Sequence, residues 1–340
     1  GLFYAPDPSS LDSCCIGGTV ATNASGPRNP KYGPTRDHVR GLEVVLPGGR
    51  IIRTGGHFLK GVAGYDLCSL ICGSEGTLGV ITEVVVRLLP RPRAVETAVL
   101  FFPSTDSATR AVVALMKAGH RPRALEMMDN VAVEAVRGKA PFRFPEGEQS
   151  LLVLELDGHD REAVFAELAE MGEKAEAELG ASLVLVAKSE SERRDLWESR
   201  RMMSPCLKER WAHKFAEDVA VPLDRVPELV DHVHARADEQ GIASCVYGHA
   251  GDGNLHVNFL FEHEEARPAV MRAAGAVFED TIALGGTITS EHGVGLVKRD
   301  YMSIEQTAPV LNLQRSLKAV FDPLDLMNPG KVFPPPGTQE

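Results

Sequence analysis

Residues 246–258 read VYGHAGDGNLHVN and bring two histidines, an aspartate, three glycines and two asparagines into thirteen positions. An Asp-Gly pair between apolar runs predicts a β-hairpin with a two-residue turn. With Asp252 and Gly253 in that turn, His249 lies directly opposite His256, and Asn258 falls on the same face. Opposed residues have Cβ atoms ~5 Å apart, which suits two imidazoles on one metal ion. The alternative is a surface hairpin with incidental histidines.

A third metal ligand is expected from elsewhere in the chain, because a catalytic metal ion takes about three protein ligands and leaves one position open. The best candidates are Glu291 and His292, in the stretch 285–295, GGTITSEHGVG. Adjacent side chains diverge by about 100° on a helix. At a glycine-flanked helix start, one of the two could bind metal while the other faces a substrate.

The composition is that of an ordinary soluble globular protein, with 44% hydrophobic and 24% charged residues. A length of 340 residues predicts two domains. The net charge is −11, and no basic face indicates a nucleic-acid partner. The six cysteines form no CxxC pair, which predicts reduced thiols in a cytoplasmic protein. No apolar run reaches the ~20 residues of a membrane helix, and peripheral attachment to a membrane complex stays open.

Two glycine-rich stretches near the start of the chain predict loops that bind a cofactor. They are residues 16–26, IGGTVATNASG, and residues 72–82, CGSEGTLGVIT. Glycine lets a backbone approach a ligand closely, and its free amide can bind phosphate oxygens. Ordinary structural loops are the alternative, since glycine loops are common.

The run Pro-Arg-Pro-Arg at residues 90–93 predicts a domain boundary. After it, strand patterns alternate with amphipathic helices, including one over residues 190–208 that Pro205 should kink or end. We therefore predict an α+β fold with an antiparallel sheet covered by helices. The predicted segments are residues 1–93, 94–285 and 286–340.

Two cations in the second segment, Arg200 and Lys214, are candidates for binding a carboxylate substrate. Arginine can grip a carboxylate with two parallel hydrogen bonds. The alternative is a pair of solvated side chains. His232 and His234 are two positions apart on a predicted helix and cannot share a face, so they are interpreted as surface residues.

Six motifs in order resemble the flavin-dependent 2-hydroxy acid dehydrogenases of the vanillyl-alcohol oxidase superfamily. That family includes the glycolate oxidase flavoprotein subunit, flavin D-lactate dehydrogenases and D-2-hydroxyglutarate dehydrogenase. The motifs cover nearly the whole chain: DPSS at 7–10, IGGTVATNASG at 16–26, GSEGTLGVITEV at 73–84, GHAGDGNLHVN at 248–258, SEHGVG at 290–295 and NPGK at 328–331.

The resemblance implies roles for individual residues. It makes His249, His256 and Glu291 metal ligands and His292 the catalytic base. Substrate binding is implied for Arg200, Lys214, Asn258 and Ser204. Contacts to FAD are implied for Gly17, Gly18, Thr19, Thr22, Asn23, Gly26, Gly76, Gly79, Val80, Ile81 and Asn328.

The implied fold is the C-terminal part of a vanillyl-alcohol-oxidase-type FAD domain plus a cap domain that binds substrate. The chain departs from the family in two ways. Ser25 stands where glycine is usual, a change that a negative φ tolerates. The chain also starts after the family's first glycine loop, so we expect it to lack the N-terminal half of the FAD domain and to hold FAD poorly or not at all. Residues 286–340 should return to the FAD domain.

The predicted function is oxidation of a D-2-hydroxy acid, of glycolate or D-lactate type, to the 2-oxo acid. Hydride passes to FAD N5, with help from Zn²⁺, Mn²⁺ or Fe²⁺. An iron-sulfur or quinone partner would accept the electrons. The alternatives are a metal-only hydrolase that uses His249, His256 and Glu291, and a non-catalytic flavoprotein subunit or inactive fragment.

Overall fold

The computed structural model describes residues 1–147 and 149–335. The chain divides into two compact units. Unit 1 combines Gly1–Arg91 with Ile288–Glu340, and unit 2 is Pro92–Thr287. The divisions lie next to the predicted boundaries, and the last segment of the chain shares a unit with the first.

Unit 1 begins with short helices and strands. In chain order they are β1 (Leu2–Phe3), α1 (Ile16–Thr22), α2 (Asn29–Tyr32), α3 (Thr35–His38), β2 (Val39–Val45), β3 (Ile51–Gly55), α4 (Leu67–Ile71), β4 (Val80–Val86) and β5 (Leu89–Pro90). The central strand β2 pairs antiparallel with β3 on one side and β4 on the other. Its buried side chains Leu42 and Val44 pack with Val20 of α1 and Ile71 of α4 in one apolar cluster.

Unit 2 alternates strands and helices as the apolar periodicity predicts. Its elements are β6 (Ala94–Phe102), α5 (Thr105–Lys117), β7 (Ala124–Met128), α6 (Asn130–Val136), β8 (Ser150–Gly158), α7 (Arg161–Glu178), β9 (Leu183–Val186), α8 (Glu190–Arg201), α9 (Met203–Arg210), β10 (His213–Ala220), α10 (Val226–Glu239), β11 (Ala243–His249), β12 (Asn254–Phe261) and α11 (Arg267–Ala283). Unit 1 then resumes with α12 (Met302–Glu305) and α13 (Ala308–Phe321).

The seven strands of unit 2 form one sheet in the order β10-β12-β11-β7-β8-β6-β9. Every neighbouring pair is antiparallel, so the prediction of an antiparallel sheet covered by helices is confirmed. One face packs in a single apolar cluster with side chains of α6, α8 and α9. Helix starts follow the cap residues of the sequence: Ser104 and Asp160 accept backbone N–H groups at the first turns of α5 and α7.

The helix predicted over residues 190–208 breaks into α8 and α9 at Met202. Pro205 occupies the first turn of α9, where its missing N–H costs no intrahelical hydrogen bond. The proline is therefore tolerated at the start of α9, and the helix break lies just before it, at Met202. Across the two described stretches of chain, no helix combines the length and the apolar character needed to cross a membrane. The cysteines are free thiols in the structure.

Candidate active site

The hairpin of β11 and β12 turns through four residues rather than two. A 3₁₀ turn occupies Ala250–Asp252, and Gly253 follows it with φ +79°. His249 therefore pairs with Asn254, while His256 pairs with Tyr247. The predicted direct pairing of the two histidines is wrong. The physical reason is the 3₁₀ turn, which the Gly253 N–H closes on the Ala250 carbonyl and which lengthens the loop by two residues.

The shift of two positions keeps both histidines on one sheet face, because side chains alternate with a period of two. Their ring centroids are 5.2 Å apart at an interplanar angle of 79°. Both rings are buried. The face that carries Glu126, Tyr247, His249, His256 and Asn258 is called the histidine face below.

Glu126 was not predicted, and it is the central charge of the histidine face. This fully buried residue of β7 binds His249 through Oε1, 2.5 Å from Nδ1. Its Oε2 accepts a hydrogen bond of 2.8 Å from Arg200 Nε. Burial acts to raise the pKa of Glu126, but the charges of His249 and Arg200 and their hydrogen bonds outweigh it and lower the pKa to about 2. Glu126 is therefore an anion at neutral pH.

The predicted substrate residues gather on the same face. The Arg200 guanidinium lies 4.7 Å from the centroid of the Tyr247 ring. Lys214 lies opposite Leu260 in the sheet, and its ammonium donates to Ser204 Oγ at 3.0 Å. Burial, followed by the charge of Lys208, lowers the pKa of Lys214. A pair of buried or half-buried cations on one face is a suitable arrangement for a carboxylate ligand.

Asn258 is fixed by the backbone of the hairpin. Its side-chain N–H₂ group donates to the carbonyl oxygens of Cys245 and His256, at 3.2 and 3.1 Å. A second acidic residue that was not predicted, Asp218, pairs with His256 across β10 and β12 and is fully buried. Both residues are thus neighbours of His256.

His234, predicted to be a surface residue, is only partly exposed. Its Nδ1 contacts Ser244 Oγ at 2.7 Å, and its Nε2 lies 3.4 Å from the buried Asp129 carboxylate. The prediction failed because α10 packs this part of its surface against β11. His232 is about two-fifths exposed and lies 3.6 Å from Asp280.

The first glycine-rich stretch is a helix, not the predicted loop. Residues 16–22 form α1, which ends at Asn23 in a left-handed conformation with φ 51°. Val20 is completely buried in the core of unit 1, and this packing outweighs the low helix propensity of two glycines. Thr19 and Thr22 hydrogen-bond to backbone carbonyls of the same helix.

The glycines implied for FAD binding fall into two groups. A side chain at Gly18 would project into open space, so a ligand can approach this backbone closely. By contrast, a Cβ at Gly26, Gly76 or Gly79 would collide with other atoms of this chain. The fold therefore requires those three glycines, and their contact with a cofactor stays a prediction.

Glu75, which was not assigned a role, joins four of the six motifs within unit 1. Its carboxylate accepts the backbone N–H groups of Val294 and Gly295, at 2.7 and 2.8 Å. Its carbonyl accepts the side-chain N–H₂ of Asn328 at 2.7 Å, and its own N–H donates to Ala21 of α1. The two glycine-rich stretches, SEHGVG and NPGK therefore meet at one residue.

Glu291 and His292 also lie in unit 1, in a stretch of bends rather than at the predicted helix start. Gly293 and Gly295 have positive φ angles of 81° and 50°, which lie outside the right-handed helical region. The backbone N–H groups of Val294 and Gly295 donate to the Glu75 carboxylate. Glu291 accepts a hydrogen bond of 2.9 Å from Ser25 Oγ, which follows α1. The His292 side chain is about half exposed. These two residues are thus held beside the first glycine-rich stretch.

We expect Glu75→Gln to destabilise unit 1 by about 1.5–3 kcal/mol, because one oxygen of the pair that accepts Val294 and Gly295 N–H becomes a donor. Urea denaturation followed by circular dichroism measures the change. Glu83→Gln is the matched control, since Glu83 is an exposed carboxylate of β4. Equal stability of the two variants would contradict this role for Glu75.

Comparison with protein families supports the predicted resemblance to flavin-dependent oxidases. Residues 91–332 match the family of FAD linked oxidases, C-terminal domain, and residues 1–55 match the FAD binding domain family. The glycolate oxidase subunit GlcD of Bacillus subtilis is 39% identical over 98% of this chain and 71% of its own length. The mitochondrial D-lactate dehydrogenase [cytochrome] of Arabidopsis thaliana is 34% identical over 98% of this chain, which spans only 59% of that relative.

Solved structures show the same fold at low sequence identity. The 4-ethylphenol oxidase from Gulosibacter chungangensis superposes with a TM-score of 0.72 at 17% identity, over 98% of this chain and 72% of that one. An alkyldihydroxyacetonephosphate synthase superposes with a TM-score of 0.68 at 21% identity, over 97% and 60%. The predictions of fold class and family are confirmed. The chain belongs to the FAD-linked oxidases.

Proposed function

We propose that this protein oxidises a D-2-hydroxy acid of the glycolate or D-lactate type to the corresponding 2-oxo acid. The observation that carries the proposal is the histidine face, where Glu126 joins a buried histidine pair to Arg200 and where Lys214 lies on the same side of the sheet. The names of two relatives, glycolate oxidase and D-lactate dehydrogenase, support this choice of substrate class.

Arg200 and Lys214 bind the substrate carboxylate in this proposal. Arg200 is preorganised, because Glu126 holds its Nε and the Tyr247 ring supports its plane. Lys214 is held at Ser204, and its partial burial strengthens the attraction to an anion. Asn258 and Ser204 line the face beside them.

FAD, when bound, supplies the acceptor for the hydride that leaves Cα. The residues present suit a flavin, since the FAD binding domain family matches residues 1–55 and Gly18 leaves its backbone open to a ligand. The remaining FAD contacts implied by the resemblance belong to this proposal. An iron-sulfur or quinone partner is proposed as the final electron acceptor.

The donor set on the histidine face suits a divalent cation. Two imidazoles on adjacent strands share a face, and Glu126 binds the Nδ1 atom of His249, which leaves Nε2 as the ligand atom. A bound Zn²⁺, Mn²⁺ or Fe²⁺ lowers the pKa of a coordinated hydroxyl group. We propose Glu291 as the third ligand and His292 as the base that takes the hydroxyl proton.

The test is a substrate panel on purified protein in a large excess of free FAD, so that weak cofactor binding does not limit turnover, with a dye as electron acceptor. We expect turnover of glycolate or D-lactate and little turnover of L-lactate or of acids without a 2-hydroxyl group. Absorbance of the flavin before and after substrate shows whether FAD is bound and reduced. Metal-dependent ester hydrolysis without any flavin reduction would favour the hydrolase and overturn the proposal.

The cationic form of Lys214 gives the reaction a pH dependence. Because burial and Lys208 lower the pKa of Lys214, its charge is lost at a pH below the usual range of lysine. We expect KM for the hydroxy acid to rise with pH through that region, by up to about tenfold per pH unit. Lys214→Arg keeps its charge and should show a flat KM over the same range.

Lys208→Ser provides the matched control for this pH dependence. Removing the neighbouring exposed cation should raise the pKa of Lys214 and move the increase in KM to higher pH. Steady-state kinetics from neutral to alkaline pH measure both effects. An identical pH profile in wild type and Lys214→Arg would remove Lys214 from substrate binding.

A further inference from the structure

We propose that Glu126 is a positioning residue that links the metal-binding histidine pair to the substrate-binding arginine. The inference rests on the proposed function and goes beyond it, because it assigns one buried carboxylate to both halves of the site. Its Oε1 contacts His249 Nδ1, and its Oε2 accepts from Arg200 Nε.

The first consequence concerns the tautomer of His249. When His249 binds a metal ion, its imidazole is neutral. Because an ionised carboxylate can only accept hydrogen bonds, the remaining ring proton then lies on Nδ1. The lone pair is then on Nε2, which is the atom available to a cation. A carboxylate behind a histidine ligand both orients the ring and makes it a better donor.

The second consequence concerns the direction of the arginine. Glu126 occupies Nε, so the edge formed by Nη1 and Nη2 remains for a two-point contact with a carboxylate. The Tyr247 ring, 4.7 Å from the guanidinium carbon, restricts rotation about the remaining bonds. Glu126 thereby fixes both the ligand atom of His249 and the binding edge of Arg200.

Glu155 is a buried carboxylate on the same sheet face that, within the described part of the chain, has no contact with either histidine, so it serves as a comparison for Glu126. It is buried on β8, opposite Ala124, and binds Thr97 and Trp197 at 2.8 Å each. Trp197 and Arg200 lie one turn apart on α8, so the two glutamates hold the same helix against the same sheet face. Only Glu126 also contacts a histidine of the pair.

The test compares Glu126→Gln with Glu155→Gln, both isosteric and both at buried sites on this face. Affinity for Zn²⁺ is measured by competition with a chromophoric chelator, without turnover. We expect Glu126→Gln to weaken Zn²⁺ binding about 10–100-fold, and Glu155→Gln to leave it close to wild type. Glu126→Asp keeps the charge but is shorter, so it should recover part of the affinity.

Steady-state kinetics provide the second measurement, which tests the positioning of Arg200 by Glu126. Glu126→Gln should raise KM for the hydroxy acid, while Glu155→Gln with a similar melting temperature should not. Wild-type Zn²⁺ affinity in Glu126→Gln, together with loss of binding in His249→Ala, would overturn this inference and leave the proposed function intact. Equal Zn²⁺ affinity in wild type, His249→Ala and His256→Ala would overturn the proposed metal site itself.

Discussion

His292→Ala is expected to lower kcat about 10²–10⁴-fold, the usual contribution of a general base. In the proposed reaction, this imidazole takes the proton of the substrate hydroxyl as hydride leaves Cα. The side chain is about half exposed, so its removal should cost little stability. Stopped-flow absorbance of flavin reduction measures the chemical step directly, separate from the dye that completes turnover.

His263→Ala is the control, because His263 is an exposed histidine that precedes α11. Both variants should keep the flavin content and melting temperature of the wild type. Flavin reduction at an undiminished rate in His292→Ala would exclude this residue as the base. The proton would then have to leave through another group, while the assignment of the carboxylate contacts would stand.

The sequence predicted the hairpin and its histidine face but not the pairing of the strands. An Asp-Gly pair signals a reversal of the chain, whereas the number of residues in the loop depends on a 3₁₀ turn that has no local signature. The register was wrong by two positions, but the predicted face was still correct, because only an odd shift moves a side chain to the opposite face. The face of a strand is thus more predictable than its partner.

Glu126 was not predicted as a site residue because all of its relevant contacts are with residues far away in sequence. It lies 123 residues from His249 and 74 from Arg200 in sequence. One signal was available: Glu126 interrupts the strand ALEMM, whose five residues are all buried. A charged residue in the middle of an apolar strand needs a partner, so it marks a polar site within the core.

The helical structure of residues 16–22 illustrates a different limit. Two adjacent glycines and several threonines favour a loop by propensity alone. The burial of Val20 in unit 1 supplies the compensating free energy, and burial of this kind depends on strands far along the chain. Composition therefore predicted the wrong backbone conformation for this stretch, and its contact with a cofactor stays a prediction.

Replacing His256 by alanine, or removing the metal ion with a chelator, is expected to reduce kcat/KM by about 10²-fold or more. A bound cation contributes several kcal/mol of charge stabilisation in reactions of this kind, and a site with one imidazole removed loses much of its affinity. His256 is buried between Tyr247 and His249, with ring centroids 5.6 and 5.2 Å away. The measurement combines metal analysis of the purified protein with turnover of D-lactate.

Restoring the metal distinguishes the effect of the cation from a loss of structure. Chelator-treated wild type should recover activity with Zn²⁺, Mn²⁺ or Fe²⁺, and the most effective ion identifies the native one. His256→Ala should not recover under the same conditions, whereas His232→Ala, at a two-fifths exposed position of α10 away from the histidine face, should behave as wild type. If metal-free protein kept full turnover, the histidine pair would be a packing feature of the sheet, and hydroxyl activation would rest on His292 alone.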